Sequence, residues 1–311
     1  MIVIFHCILF KIVLHCDVRS EVKRRLGVHT SIAGGVHLSM ERAKELGCNT
    51  AQIFSHNPRI WSVGSIPQGS VSLFRELRRV YDINPVFIHT SYLINLAASN
   101  SDTLERSVTL LMKEMDLADL LGAEYVVLHT GSASGDAEET ARKRAIESLK
   151  RISREKSWEA RLLLENTAGE RGDISSRIRD LAEIIDGTDS PLIGGVTLDT
   201  CHAFQAGYEL TSEKGLAMMM AEAEKALGLE SIRLIHLNDS KRSFHSGVDR
   251  HEHIGAGTIG KRWIERFINH PALMEVPLVL ETPKKSEDDD RRNMAIVRRF
   301  LKPAEHLTRT S

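Results

Sequence analysis

The sequence predicts a single-domain α/β fold, a (β/α)8 barrel. Three observations carry that expectation. The chain has 311 residues, a length typical of one α/β barrel or of two smaller domains. Eight short apolar, β-branched runs recur along it. Polar segments with helical periodicity separate them, and this alternation favours parallel strands linked by crossover helices. A doubly wound open sheet is the structural alternative. No linker, low-complexity tract or composition break divides the chain, so one domain is the simpler reading.

The expected strands, in order, are Leu26–Ser31, Thr50–Ser55, Pro85–Thr90, Tyr125–Thr130, Arg161–Asn166, Gly194–Thr200, Arg233–Asp239 and Pro277–Thr282. Each is a short apolar run of the kind buried on both faces of a parallel sheet. The expected helices are Ser39–Leu46, Ser70–Val80, Leu104–Leu121, Glu138–Arg154, Ile174–Ile185, Glu213–Leu227, Lys261–Ile268 and Glu287–Leu301. In Leu104–Leu121 the apolar positions Val108, Leu111, Met115, Ala118 and Leu121 follow a 3.6-residue period. Gly122 is placed to stop that helix as a C′ residue, and Ser286 to cap the last one.

Hydrophobic residues make up 42% and charged residues 27%, an ordinary soluble balance. The formal net charge is −1, so no global positive charge marks a nucleic-acid binder. Local Arg and Lys clusters, or bound cations, can still supply the field that a phosphate backbone needs. The four cysteines are scattered and form no CxxC pair, which argues against a disulfide framework and for a reducing compartment. The first residues, M-I-V-I-F-H-C-I-L-F-K-I-V-L-H-C, are too short to span a bilayer and lack the marks of a signal peptide. An interfacial segment and a strand-like extension are both open. The favoured reading is translation from a start codon upstream of the true one. Residues 1–25 are then an extension, 26–301 the barrel and 302–311 a tail.

The strands end alike. Their last residues are His89, His129, Glu165, Asp199, His236 and Glu281, all of metal-ligating type. In a barrel every C-terminal strand end opens onto one face. One such residue ordinarily finds a hydrogen bond and does no more. Six at one mouth would repel or go unsatisfied without cations. Histidine and carboxylate donors without cysteine suit Zn²⁺, Mn²⁺ or Fe²⁺. His202, just past Asp199, and the D-x-H pair Asp249 and His251 form a further set if their loops fold over the same mouth.

Several blocks together resemble a known family. They are H-T-S-Y-L-I-N-L (89–96), L-L-E-N-T-A-G (163–169), L-D-T-C-H-A-F-Q-A-G-Y (198–208), H-L-N-D-S-K (236–241), V-D-R-H-E-H-I-G-A-G-T-I-G (248–260) and P-L-V-L-E-T (277–282). Collinear from about Leu26 to Leu301, they resemble endonuclease IV, the zinc-dependent apurinic/apyrimidinic endonucleases of base excision repair. The resemblance implies a TIM barrel with three zinc ions, for which Mn²⁺ can substitute. It implies that His89, His129 and Glu165 hold one ion. Glu165 would bridge to a second, held also by Asp199, His236 and Glu281. His202, Asp249 and His251 would hold the third. Cys201, tempting by type, is expected to bind nothing and to pack behind the site. Two positions depart from the family pattern: Thr90 where Asp is common, and T-G-S-A after His129 where P-G-S-H is common.

The implied reaction is hydrolysis of the phosphodiester bond 5′ to an abasic site in duplex DNA, leaving 3′-OH and 5′-deoxyribose phosphate ends. Glu165 and Glu281 would place the cluster and take the proton of the attacking water. Wedging and contact with DNA would fall to Asn57, Arg59, Trp61, Tyr92 and Leu93, with Arg250, Lys241 and Arg242 as phosphate contacts. The bland alternative is that the aromatic residues pack their loops and the charged ones are solvated. A monomer in the cytoplasm with no membrane association is expected. The rival function is a metal-dependent sugar isomerase or epimerase, which Glu165, Asp199, His236 and Glu281 alone would fit. Such an enzyme needs neither the His89/His129 pair nor the His202/Asp249/His251 set.

Overall fold

In the computed structural model, residues 24–302 are described. The expectation for the N-terminal extension therefore lies outside the described residues, apart from Arg24 and Arg25, as does that for the tail beyond Lys302. The strands and helices in chain order are β1 (Leu26–Val28), α1 (Leu38–Glu45), β2 (Ala51–Phe54), α2 (Gln68–Val80), β3 (Val86–His89) and α3 (Ser101–Leu121). Then come β4 (Tyr125–Leu128), α4 (Glu138–Glu155), β5 (Arg161–Glu165), α5 (Ile178–Thr188), β6 (Ile193–Asp199), α6 (Thr200–Ala206) and α7 (Glu213–Leu227). The chain ends with β7 (Ile232–His236), β8 (Asp239–Ser240), β9 (His251–Glu252), α8 (Lys261–Ile268), β10 (Leu278–Leu280) and α9 (Asp289–Phe300).

Eight strands form one parallel sheet in the order β1-β10-β7-β6-β5-β4-β3-β2. The two ends of that list meet through a parallel bridge between His29 and Gln52, so the sheet curls into the expected barrel. The amide of Thr30 donates to the Gln52 carbonyl at 2.8 Å across the same seam. Gly27 is needed there, because a Cβ would lie 2.0 Å from the Thr50 carbonyl oxygen.

Phe87, Val127, Leu163, Leu234 and Val279 form a separate, fully buried inner layer, one residue from each of five strands. The neighbouring strand residues pack outward against the helices in the larger core. Side chains alternate along a strand, so the residue two further on faces inward again. Those residues are His89, His129, Glu165, His236 and Glu281, set one layer above the inner core.

Helix α3 behaves as its pattern requires. Asn100 caps its start by accepting the Thr103 amide at 2.9 Å, and Gly122 ends it with φ 71°. Three expectations need correction. Helix α5 begins at Ile178, not Ile174. Ser286 does not cap α9: the N-cap is Asp288, and the Asp289 carboxylate takes the Lys285 and Ser286 amides at 2.8 and 2.7 Å. The segment after Asp199, expected as a loop, is helix α6. No helix among the described residues is long and apolar enough to cross a membrane.

Candidate metal centre

Ligand-type side chains come together in four sets at the C-terminal mouth, three of them made of histidine and carboxylate alone and one containing Cys201 with Asp199 and His251. Donor atoms of His89, His129 and Glu165 lie within 4.8 Å of one another, as do those of Glu165, Asp199, His236 and Glu281. Those of His202, Asp249 and His251 form the third set. Glu165 links the first two: its Oε2 is 2.9 Å from His129 Nε2 and 3.4 Å from His89 Nε2, while its Oε1 is 2.7 Å from His236 Nδ1.

Local structure aims each group. Asp199 ends β6 and caps α6, accepting the His202 amide at 2.8 Å. Its other oxygen takes the Asn238 side-chain amide at 2.7 Å. A seven-residue helix starting directly at the strand end thus turns His202 back over the mouth. His251 sits in the short β8–β9 hairpin, opposite Ser240. The buried Asp239 carboxylate holds the following loop by accepting the amides of Gly255, Gly257 and Ile259 at 2.9, 3.0 and 3.0 Å.

The donor set fits cations. His202 Nδ1 is 2.9 Å from the Asn166 carbonyl and His251 Nδ1 is 3.1 Å from the Glu281 carbonyl. A carbonyl only accepts, so both Nδ1 atoms carry protons and both Nε2 atoms present lone pairs when neutral. Those Nε2 atoms are only 3.4 Å apart, and each is 3.3 Å from Asp249. Two lone pairs and a carboxylate facing one point are stable only around positive charge. The His89 ring follows the same rule, its Nδ1 lying 2.8 Å from the Thr90 carbonyl.

The electrostatics agree. Burial pushes the Glu165 carboxyl up, but His236 and His129 hold it well below the usual range. Burial likewise opposes ionisation of Glu281, and the charge of His236 outweighs it. Burial lowers His236, yet Glu165 and Glu281 raise it to about 9. Asp199 and Asp249 raise His202 well above the ordinary imidazole value against its burial. With no cation present, protons gather on His202 and His236 and offset the carboxylates beside them. Cation binding would displace them.

Above the cluster opens a cavity of about 1010 Å³, lined at its base by His29, His89, His129, His202, His251 and Glu281. Asn57, Tyr92, Arg250 and Lys284 also line it. Glu165, Asp199 and His236 are wholly buried beneath.

A family model described as a xylose isomerase-like TIM barrel matches residues 40–304. A probable endonuclease 4 of Halothermothrix orenii is 41% identical over 265 residues, covering 85% of this chain and 95% of its own length. The chain belongs to the endonuclease 4 family. The crystal structure of endonuclease IV from Thermus thermophilus matches with TM-score 0.79 and 37% identity, over 89% of this chain and 98% of that one. A D-tagatose 3-epimerase-like protein matches with TM-score 0.69 at 20% identity, over 90% of this chain and 98% of that one, a likeness of fold alone. The endonuclease reading is therefore favoured over the sugar isomerase or epimerase alternative.

Within the endonuclease 4 framework, the expected DNA-facing residues divide. Tyr92 is 66% exposed at the cavity wall, its ring 5.3 Å from that of Phe54. Asn57 and Arg250 are exposed and line the cavity, and Arg59 is exposed beside Asn57. Lys241 and Arg242 are exposed at the hairpin turn. Leu93 is half-buried and does not line the cavity. Trp61 is half-buried against the core, under the Arg106 guanidinium at 4.3 Å, and does not line the cavity either. Cys201 is buried, and burial drives its thiol pKa up. Its Sγ donates to the Arg250 carbonyl at 3.5 Å, yet it comes within 4.8 Å of Asp199 and His251 donors, closer than expected.

Sequence reasoning missed Asn166, Asn238, His29 and Gln52. Asn166 accepts the Asp199 amide at 2.8 Å, and the Asn238 side-chain oxygen accepts the Glu281 amide at 2.9 Å. Their adjacency to ligand-type residues, in E-N and H-L-N, was the available signal.

Proposed function

We propose that the protein is a zinc-dependent endonuclease that hydrolyses the phosphodiester bond 5′ to an abasic site in duplex DNA. The products would be 3′-OH and 5′-deoxyribose phosphate ends. The observation that carries this reading is the third cluster. His202, Asp249 and His251 converge beside the four-residue set that a sugar isomerase would use, and that chemistry has no need of them.

His89, His129 and Glu165 would hold one zinc ion, Glu165, Asp199, His236 and Glu281 the second, and His202, Asp249 and His251 the third. Mn²⁺ can substitute. When bound, the ions lower the pKa of water and neutralise the phosphoryl oxygens and the departing 3′ oxygen. Glu165 and Glu281, both held ionised, accept the proton of the attacking water. No serine or cysteine nucleophile is required, and the buried protonated Cys201 suits that. An abasic sugar lacks stacking, so its extrusion into the cavity costs little. Tyr92, projecting at the cavity wall, fills the vacated space in the duplex together with Leu93. Asn57, Arg59, Arg250, Lys241 and Arg242 contact the backbone. Trp61 supports the loop after β2 from below. The protein acts as a monomer in the cytoplasm.

Metal analysis of native protein tests the reading. Three zinc equivalents per chain are expected; one or two Mn²⁺ or Mg²⁺ would favour an isomerase. Glu165→Gln should abolish nicking, and surviving activity would show the assigned mechanism to be wrong.

A further inference from the structure

We infer that Gln52 is a positioning residue, whose carboxamide fixes which nitrogen of His236 and which oxygen of Glu281 face the candidate paired-metal set. The inference rests on the metal reading of that set. Gln52 lies in β2, which sends no ligand-type side chain to the mouth, and it is wholly buried. Its backbone forms the barrel seam. Its side chain reaches residues at the ends of β7 and β10. Nε2 lies 2.6 Å from Glu281 Oε1 and 3.0 Å from His29 Nδ1, and Oε1 lies 2.8 Å from His236 Nε2.

Chemistry leaves one orientation for this amide. An ionised carboxylate only accepts, so the NH₂ end must face Glu281. The carbonyl end then faces His236, and a carbonyl cannot donate. His236 therefore carries a proton on Nε2, which leaves Nδ1 toward Glu165 Oε1 and toward Glu281 Oε2, the latter at 3.3 Å. With Oε1 of Glu281 occupied by the amide, Oε2 is the oxygen free for the ion. The second amide proton goes to His29 Nδ1. The His29 proton then sits on Nε2, a buried atom with no hydrogen-bond partner among the described residues. One neutral side chain thus orders two imidazoles and a carboxylate. Outer partners of this kind typically change metal affinity about 10–100-fold when removed.

The test uses the full-length zinc-loaded protein and Gln52→Met, which keeps the volume but neither donor nor acceptor. Zinc affinity is read by competition with a chromophoric chelator. The His236 ring is read by ¹⁵N-edited spectroscopy, which distinguishes Nε2–H from Nδ1–H. The expected result is Nε2–H on His236 in the wild type. Gln52→Met should weaken one zinc equivalent by roughly 10–100-fold and shift the Nε2–H resonance of His236, which loses its carbonyl acceptor. Gln52→Glu, which still offers His236 an acceptor, should keep the Nε2–H ring. A wild-type ring protonated on Nδ1 overturns the inference without any variant, even if Gln52→Met fails to fold. So does Gln52→Met binding within about twofold of wild type with an unchanged ring, far below the expected loss. A wild-type chain that takes up no zinc overturns the metal reading itself, which separates the two failures.

Discussion

Cys201 is the residue whose type most suggests zinc, and its surroundings argue otherwise. It is buried, its thiol is pushed toward the protonated form, and it donates to the Arg250 carbonyl. Zinc takes the thiolate, which this environment disfavours. Cys201→Ser keeps a donor for that carbonyl, so zinc content by plasma mass spectrometry should remain at three per chain. A drop to two would make the sulfur a ligand. Six of the ligand-type residues were legible because polar groups ending apolar strands have few other uses, while His202, Asp249 and His251 were firmly legible only as part of the sequence blocks that carry the family resemblance. Gln52 was not legible: an amide within an apolar run becomes informative only once the barrel closes and brings β7 and β10 within its reach. Trp61 was ambiguous for the opposite reason, since an aromatic side chain in a loop reads the same in sequence whether it projects or packs; here it packs against the core.

At the scale of elements, the periodic helices were readable, down to the eight residues of α1 and α8, and α6 was not. Helix α3 kept its apolar stripe, its Gly122 stop and its buried face. Helix α6 has seven residues and begins directly at the end of β6, with no polar linker or periodicity to betray it. The start of α9 was misread because its capping belongs to an acid inside the helix. The Ser286 and Lys285 amides and the Arg292 guanidinium hold the Asp289 carboxyl down to about 2, from an ordinary 3.8. The folded-state pKa is depressed, so the stabilisation is full above about pH 4 and is lost as pH falls through about 2. Asp289→Asn should therefore be less stable than wild type at about pH 6, with the gap closing as denaturation midpoints are followed down to about pH 2.5. A gap independent of pH would contradict this account.

For the whole molecule, eight strand–helix repeats sufficed to predict the barrel, because alternation of buried runs and amphipathic helices has few other closed solutions. Closure itself was not readable. It depends on Gly27 allowing β1 close to Thr50 and on the His29–Gln52 bridge. The barrel then converts strand periodicity into chemistry: residues two beyond the inner core layer meet at one mouth, and α6 and the β8–β9 hairpin add the third set above them. The near-neutral net charge of −1 leaves attraction of a polyanion to local groups and bound cations. Incision of a duplex carrying one abasic site, mapped at nucleotide resolution with and without a strong chelator, tests the central claim most directly. The account predicts a nick immediately 5′ to the abasic site with a 3′-OH end, abolished by the chelator and restored by zinc. Intact duplex after incubation with fully zinc-loaded protein would contradict it.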